Sequence, residues 1–594
     1  MKRIIFLSTI LVSFLLVSCE TMFKPKGISD VSSEVMWTVP DMAQGVLMNA
    51  YNNISNNLDH YDGNFLDVAT DNAVTNSYST ATYSLSMGTL SSSNNPLGIW
   101  SQAYNNLQYI HLFLENGLTD ATKYAPGSPE DDAATKLRLR GEAYYLRAWW
   151  SAELLRVYGG RTSDGRALGY PIVTSSLTPD RAGDFSWQKR DTYEDCVEQI
   201  CADCDAAAEL LPAVATGAYI GRATSVMAEF LKARVLFDAA NPAYQSAETV
   251  TINGMGDYTV NDEQAYRDKW LRAALQCQKV LDLCGNPAYV AMQRKDIVDI
   301  DQNNPVTPSH FIFRFYMQNK AMENRHFPPY YYGQTQTAPS QNLVDAYPMK
   351  SNGYPITIAG SGYDPQNPYE GRDNRLEFTV YHHGSVFPGD TTRFNTIDIV
   401  TGGKDSQSFM NGSSRGSRTG YYLHKFLSET VNMLDPVQSV TALHFIPTMR
   451  LAEIFLDLAE ACNEVFGPTG TGEGLSRSAY DILKDIRAKS GGIVDDQYID
   501  LVKDSKADFT ELILNERRLE FAFENFRFWD LRRRLLPLDE KIRGVAATRN
   551  EAGQITYEYV DVEERKFDHP RYYYVPLPYA ECTKNPNLVN NMDY

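Results

Sequence analysis

The stretch Glu516-Arg517-Arg518-Leu519-Glu520-Phe521-Ala522-Phe523-Glu524-Asn525-Phe526-Arg527-Phe528-Trp529-Asp530-Leu531-Arg532-Arg533 says more about the fold than any other part of this chain. Read as the end of one helix over 508–534, it sets Glu516, Glu520 and Glu524 on a single face at i, i+4 steps. Carboxylates so spaced lie about 5–6 Å apart, near the separation used by a retaining glycosidase. The same helix carries Arg517, Arg527, Arg532, Arg533 and Arg534, with Arg517–Glu520 and Glu524–Arg527 at i, i+3. Carboxylates paired with guanidinium groups stay ionised, whereas a general acid needs a raised pKa. The stretch therefore reads as a structural ion-pair lattice. No Glu-x-x-His stands on the same helix, and a di-iron bundle needs two such motifs on its helices, which excludes it here.

Outward from this segment the pattern stays helical. Trp100, Ala103, Tyr104, Leu107, Ile110 and Leu114 recur at helical spacing, with Gly117 as a stop. Further helices are expected over 137–158, 191–211, 224–240, 266–284, 448–466 and 476–490. Ala228, Ala233, Ala239 and Ala240 give one of them a small-residue face; Ala452, Ala459 and Ala461 do so in another. Small faces let helices approach closely, as in stacked tetratricopeptide hairpins, but no constant 34-residue period appears. The expected fold is all-α dominated, an irregular tetratricopeptide-like array.

Between 286 and 440 the texture changes to Gly, Pro, Tyr, Asn and Ser, as in Pro328-Pro329-Tyr330-Tyr331-Tyr332-Gly333. Short β-like pieces stand at 311–316 and 376–381. This is a loop- and short-strand-rich insertion, where function tends to reside. A second polar stretch, 59–96, interrupts the early helices. The expected organisation is a scaffold over 40–285, a ligand-facing region over 286–440 and C-terminal helices over 441–594, all one domain.

The N-terminus is an address. Lys2-Arg3 precede an apolar run over 4–17, too short for the roughly 20 residues that span a bilayer. Leu16-Val17-Ser18-Cys19 matches a bacterial lipobox, so residues 1–18 are expected to be removed and Cys19 to carry the acyl (palmitate) anchor, with 19–39 as a tether. Glu20 hints at onward sorting to the cell surface. The seven other cysteines are an odd number and read as buried small hydrophobes, Cys201-x-x-Cys204 included.

The 594 residues hold 55 Lys+Arg against 74 Asp+Glu, a net charge of −19. Such a chain is repelled by phosphate backbones and shows no basic stripe, which excludes nucleic acid as a partner. Aromatic residues reach 12%, with 37 Tyr in front; Tyr offers an apolar face and a polar tip, suited to wet, sugar-like surfaces. Catalytic motifs fail one by one. Gly412-Ser413-Ser414-Arg415-Gly416 spells G-x-S-x-G in a polar loop without the strand and helix of a nucleophile elbow. Asp299, Asp301 and Asn303 start like a calcium loop, but Asn304 and His310 stand where Gly and Glu are required. His382-His383 reads as a surface pair. No metal, cofactor or catalytic residue is expected.

The 516–533 segment closely resembles the signature of the SusD/RagB family of Bacteroidetes surface lipoproteins, with Asn525 where the family usually has Gly. Other blocks agree in order: Pro96, Trp100, Tyr104 and Ile110; Leu146-Arg147-Ala148 through Tyr158-Gly159-Gly160; Gly221-Arg222-Ala223-Thr224; 339–347; Arg372-Asp373-Asn374-Arg375-Leu376; Arg450-Leu451-Ala452-Glu453 through Ala459-Glu460-Ala461; and Pro576-Leu577-Pro578 with Asn585-Pro586-Asn587-Leu588. The resemblance implies an outer-membrane, outward-facing lipoprotein that captures glycans without cleaving them and serves a SusC-like TonB-dependent transporter.

Signature residues mark the scaffold, so Trp100 and Trp529 are expected in the core, and the ligand residues are chosen by loop position and chemistry. Tyr330, Tyr331 and Tyr332 are the expected stacking platform, with Arg325 and Asn324 as hydrogen-bonders. Asp71, Asn72, Tyr78 and Tyr83 of the early loop come next. The rival functions are a glycosidase, a scaffold or lid that binds only protein partners, and a peptide binder.

Overall fold

The computed structural model describes residues 33–177, 188–301, 303–387, 395–411, 414–431 and 440–594. The signal peptide, Cys19 and residues 19–32 of the tether lie outside the described residues, as do Gly412 and Ser413 of the G-x-S-x-G motif.

Helices dominate, and they start where side chains cap them. Ser128, Thr192, Thr224, Asp262, Ser478 and Ser505 each accept a hydrogen bond from the backbone N–H three residues on. Each cap replaces a partner the first turn lacks and contributes about 1 kcal/mol. Pro129–Tyr158 packs on Tyr193–Leu210, that on Ser225–Ala240, that on Glu263–Leu283, and that on Leu451–Phe466. Leu451–Phe466 in turn carries Ala479–Ile486 and Lys506–Glu520. This is the irregular helical array expected, and its small-residue faces are buried. At Gly141 a Cβ would stand 2.9 Å from Leu210 and Leu211, so the first two helices meet closely there.

A second apolar cluster, with Phe65, Phe327, Tyr347, Phe387, Tyr421 and Phe445, lies under the loop-rich insertion. The strands form two-stranded ribbons: Phe311–Asn319 with Ala442–Arg450, Lys541–Arg549 with Ile555–Glu564, and Ala73–Thr75 with Thr337–Pro339. The last of these threads the early loop into the insertion.

The signature segment departs from a single helix. It forms Lys506–Glu520 and Arg527–Arg533, separated by a turn in which Phe523 and Asn525 adopt φ of 61° and 66°. Asn tolerates this left-handed conformation, and its amide makes the turn specific. Asn525 Oδ1 accepts from the Leu66 N–H at 2.7 Å, and Nδ2 donates to Leu58 O at 2.8 Å. The ion-pair lattice exists, but the i, i+3 pairs do not. Glu516 meets Arg375 and Arg487, Glu520 meets Arg450, and Glu524 meets Lys425 and Arg450, at 2.6–2.8 Å. Arg517 turns to Asp457 and Asp530, and Arg527 to Asp71, because the turn swings the second helix off the face of the first.

Other expectations are corrected. The 376–381 strand is mostly the helix Arg375–Thr379, with Val380–Tyr381 extended after it. The helix expected from 448 starts at Leu451, after the strand Ala442–Arg450. His382 is buried, stacked on Tyr369 at 3.8 Å and 2.6 Å from Glu377 Oε1, so it belongs to no surface pair. Trp100 is in the core, whereas Trp529 is half-buried under Arg156 at 5.0 Å. The seven described cysteines are all free; five are buried, and burial pushes the Cys196, Cys201 and Cys462 thiols up to about 12.

Candidate functional site

A groove of about 820 Å³ opens where five separate segments converge: Asn76–Tyr78, Gln334–Gln336, residues 399–408, residues 414–420 and the Lys541–Glu564 hairpin. Its position follows from the strand pairing described above. Thr75 pairs with Thr337 at the end of the short ribbon, and the Asn76 N–H then donates to Gln336 O at 3.0 Å. The Asn76 side chain donates to Gly416 O at 3.2 Å and accepts the Arg418 N–H at 3.2 Å, joining the early loop to the 414–420 segment. On the far wall Val545 N–H donates to Thr419 O at 2.8 Å, and Thr401 N–H to Ala547 O at 2.9 Å.

Arg418 is held rigidly. Its Nη1 donates to Thr75 O and to Glu563 Oε2, each at 2.8 Å. The guanidinium lies 4.6 Å from the centroid of Tyr78, which in turn meets Tyr83 edge-on at 5.0 Å and 86°. Tyr78 is 61% exposed, so one apolar ring surface faces solvent over a polar cleft. Among the described residues, the rest of the lining offers Gln334, Gln336, Ser406, Gln407, Ser408 and Arg415, and no Asp or Glu. Such a surface stacks on a flat apolar ligand face and hydrogen-bonds hydroxyls. It contains no carboxylate pair for acid–base work.

The sequence-chosen residues distribute unequally. Tyr78 lines the groove and Tyr83 supports it. Tyr332 is 53% exposed, at a left-handed φ of 63°, two residues before Gln334. Tyr330 is half-buried, with the Lys404 ammonium 4.5 Å above its ring. Tyr331 does not fit a stacking platform: it is 1% exposed, and its ring lies on Phe387 at 3.9 Å and 11°. Asp71 and Asn72 are interior as well. Asp71 is ion-paired to Arg518 and Arg527, which against the cost of burial hold its carboxyl well below the usual range. Asn72 binds Asp67 and Arg518. Their polarity serves to lock the early loop onto the signature segment. Asn324 is exposed; Arg325 is committed to Asp59, and its backbone O accepts the Gln336 N–H at 2.7 Å.

Sequence reasoning missed Arg415, Arg418, Gln334, Gln336 and 406–408. The only signal for the first two was the Gly/Ser/Arg loop that spelled a failed nucleophile motif. A second cleft, of about 480 Å³, runs beside the signature segment. Of its carboxylates, Glu453, Asp457, Glu524 and Asp530 are paired to arginines or a lysine and Glu153 lies 3.9 Å from Arg156, whereas Asp238 makes no ion pair among the described residues and burial pushes its carboxyl up to about 6.

Comparison with known proteins adds context. The profile of the SusD family matches residues 311–594, and a profile described as "Starch-binding associating with outer membrane" matches residues 28–236. The chain is 30% identical over 150 residues to SusD-like protein P2 of Formosa agariphila, a match that spans 25% of this chain and 25% of that relative. Among solved structures, a SusD-like protein of Bacteroides fragilis superposes with TM-score 0.70 at 22% identity, covering 95% of this chain and 99% of the other. A SusD-like carbohydrate binding protein of the same organism superposes with TM-score 0.67 at 21% identity, covering 93% and 99%.

Proposed function

Because this chain belongs to the SusD/RagB family, we propose that it is a glycan-binding protein of the outer membrane that captures oligosaccharides in the groove around Tyr78 and Arg418. The observation that carries this reading is the exposed Tyr78 ring, ordered by Arg418 and Tyr83 over a lining of amides, hydroxyls and arginine without a carboxylate. Tyr78 stacks on the C–H face of a sugar ring, while Gln334, Gln336 and Ser408 bind its hydroxyls. Stacking at about 0.5–1.5 kcal/mol beyond burial gives modest affinity, which suits a carrier that must release its cargo. The lining without paired carboxylates supports capture over cleavage.

In this reading Cys19 carries the lipid, the protein faces outward, and the captured glycan passes to a SusC-like TonB-dependent transporter. The exposed apolar residues Val214, Tyr219 and Ile220, on the connection between Tyr193–Leu210 and Ser225–Ala240, favour a protein partner as well. Titration calorimetry of the purified protein against a panel of oligosaccharides tests the reading. Saturable binding to at least one of them is expected. Binding to peptides alone, or to nothing but the transporter, would replace glycan capture with the peptide or scaffold function.

A further inference from the structure

The charge of the groove runs against that of the molecule. The chain carries −19 overall, yet among the described residues the groove lining holds two arginines, Arg415 and Arg418, and no acidic side chain. Arg415 is exposed, at the end of the short strand Ser414–Arg415, and makes no ion pair among the described residues. Arg418 does pair with Glu563, but Glu563 is shared with Arg565, so the three side chains together leave one positive charge beside the groove. Glu558 is exposed opposite Ala546 on the hairpin and stands outside the lining. At physiological salt the Debye length is about 8 Å, so acidic side chains farther than that from the groove are screened from a ligand inside it, whereas Arg415 lines it.

We propose that the groove selects acidic glycans, with Arg415 as the contact for a ligand carboxylate or sulfate. This rests on the groove being a glycan site. A guanidinium presents a planar fork of donors that matches both anions, and a neutral sugar gives it no charge to meet. Arg418, already committed to Thr75 O and Glu563, positions Tyr78 and adds field without moving. The polar amides and hydroxyls of the lining then serve the sugar hydroxyls. An acidic polymer approaching so acidic a protein elsewhere is repelled, which leaves the groove as its favoured landing place.

The test is calorimetry on the purified protein with two matched pairs at low and high NaCl. One pair is an oligogalacturonide and its full methyl ester; the other is a sulfated galacto-oligosaccharide and its desulfated form. At least one acidic member is expected to bind ten-fold or more tighter than its neutral counterpart, to weaken as salt rises, and to lose ten-fold or more with Arg415→Gln. The pair that responds identifies the carboxylate or the sulfate as the recognised group. Equal binding of acidic and neutral members, or binding insensitive to Arg415→Gln, overturns the charge selection. If that binding is nonetheless lost in Tyr78→Ala, the groove remains the glycan site and only the acidic class falls. No saturable binding by any of the four ligands overturns the proposal, and if the wider neutral panel is equally silent the glycan reading falls with it.

Discussion

The Arg418 guanidinium lies 4.6 Å over the ring of Tyr78, and Thr75 O and Glu563 fix it there. The ring is thus ordered before any ligand arrives, so binding loses little side-chain entropy. Replacing Tyr78 by Ala removes an exposed stacking surface and no core contact. It is expected to weaken oligosaccharide binding about 3–10-fold and to change stability by no more than about 0.5 kcal/mol.

Tyr331→Ala inverts that outcome. Its ring is buried against Phe387, and its removal is expected to destabilise the protein by about 3–5 kcal/mol. Denaturant unfolding and calorimetry on both variants separate the roles. A Tyr331→Ala protein of native stability that no longer binds glycan would return Tyr331 to the ligand surface.

Asn525 makes a second contrast. At φ 66° Gly is free of strain, but it lacks the amide that ties Leu58 and Leu66 to the signature turn. Asn525→Gly is expected to cost about 1–3 kcal/mol for the lost hydrogen bonds. Asn525→Ala is expected to cost about 1 kcal/mol more, for the left-handed backbone. Urea unfolding checks the order; an Ala variant as stable as the Gly variant would contradict it.

The buried lattice predicts an acid-sensitive component of stability. Burial alone would raise the Glu520 carboxyl, but Arg450 and Arg375 hold it at about 2. A folded pKa below the unfolded value contributes stability that is present above about pH 4.3 and fades as pH falls towards 2. Arg450→Gln leaves Glu520 with Arg375 and Glu524 with Lys425 as their remaining cations and is expected to cost about 3–5 kcal/mol at neutral pH. Its deficit relative to wild type should shrink steadily between pH 4.5 and 2.5. A deficit constant over that window would show that the charge of Glu520 is not what Arg450 stabilises.

The thiols give a simple count. Cys196, Cys201, Cys204, Cys277 and Cys462 are buried, whereas Cys284 and Cys582 are half-buried. Of these seven, a thiol reagent is expected to modify at most Cys284 and Cys582 in the native protein and all seven after unfolding, since burial disfavours the reactive thiolate. Rapid native modification of a third would place an opening motion in the helical array.

Much of the scaffold was legible because helical periodicity, caps and small faces act locally: Thr192, Thr224 and the Ala228–Ala240 face announce their elements. The signature break was not, since Phe523 and Asn525 keep the composition of a helix while tertiary bonds to Leu58 and Leu66 draw the chain into a turn. The same limit hid the groove. Asp71 and Asn72 looked like ligand residues because a polar loop reads as exposed, and only the pairing of Ala73–Thr75 with Thr337–Pro339 carries that loop inside. Tyr78 lies just beyond the pairing and stays outside. Arg415 and Arg418 are more than 300 residues from it in sequence, a distance no local pattern bridges.

The most direct test is a crystal structure of the protein with a bound oligosaccharide identified by the titration. The account predicts a sugar ring with its C–H face about 4 Å from Tyr78, between the Gln334–Gln336 segment and Arg415. An oligosaccharide seated elsewhere, with the Tyr78 groove empty, would contradict it.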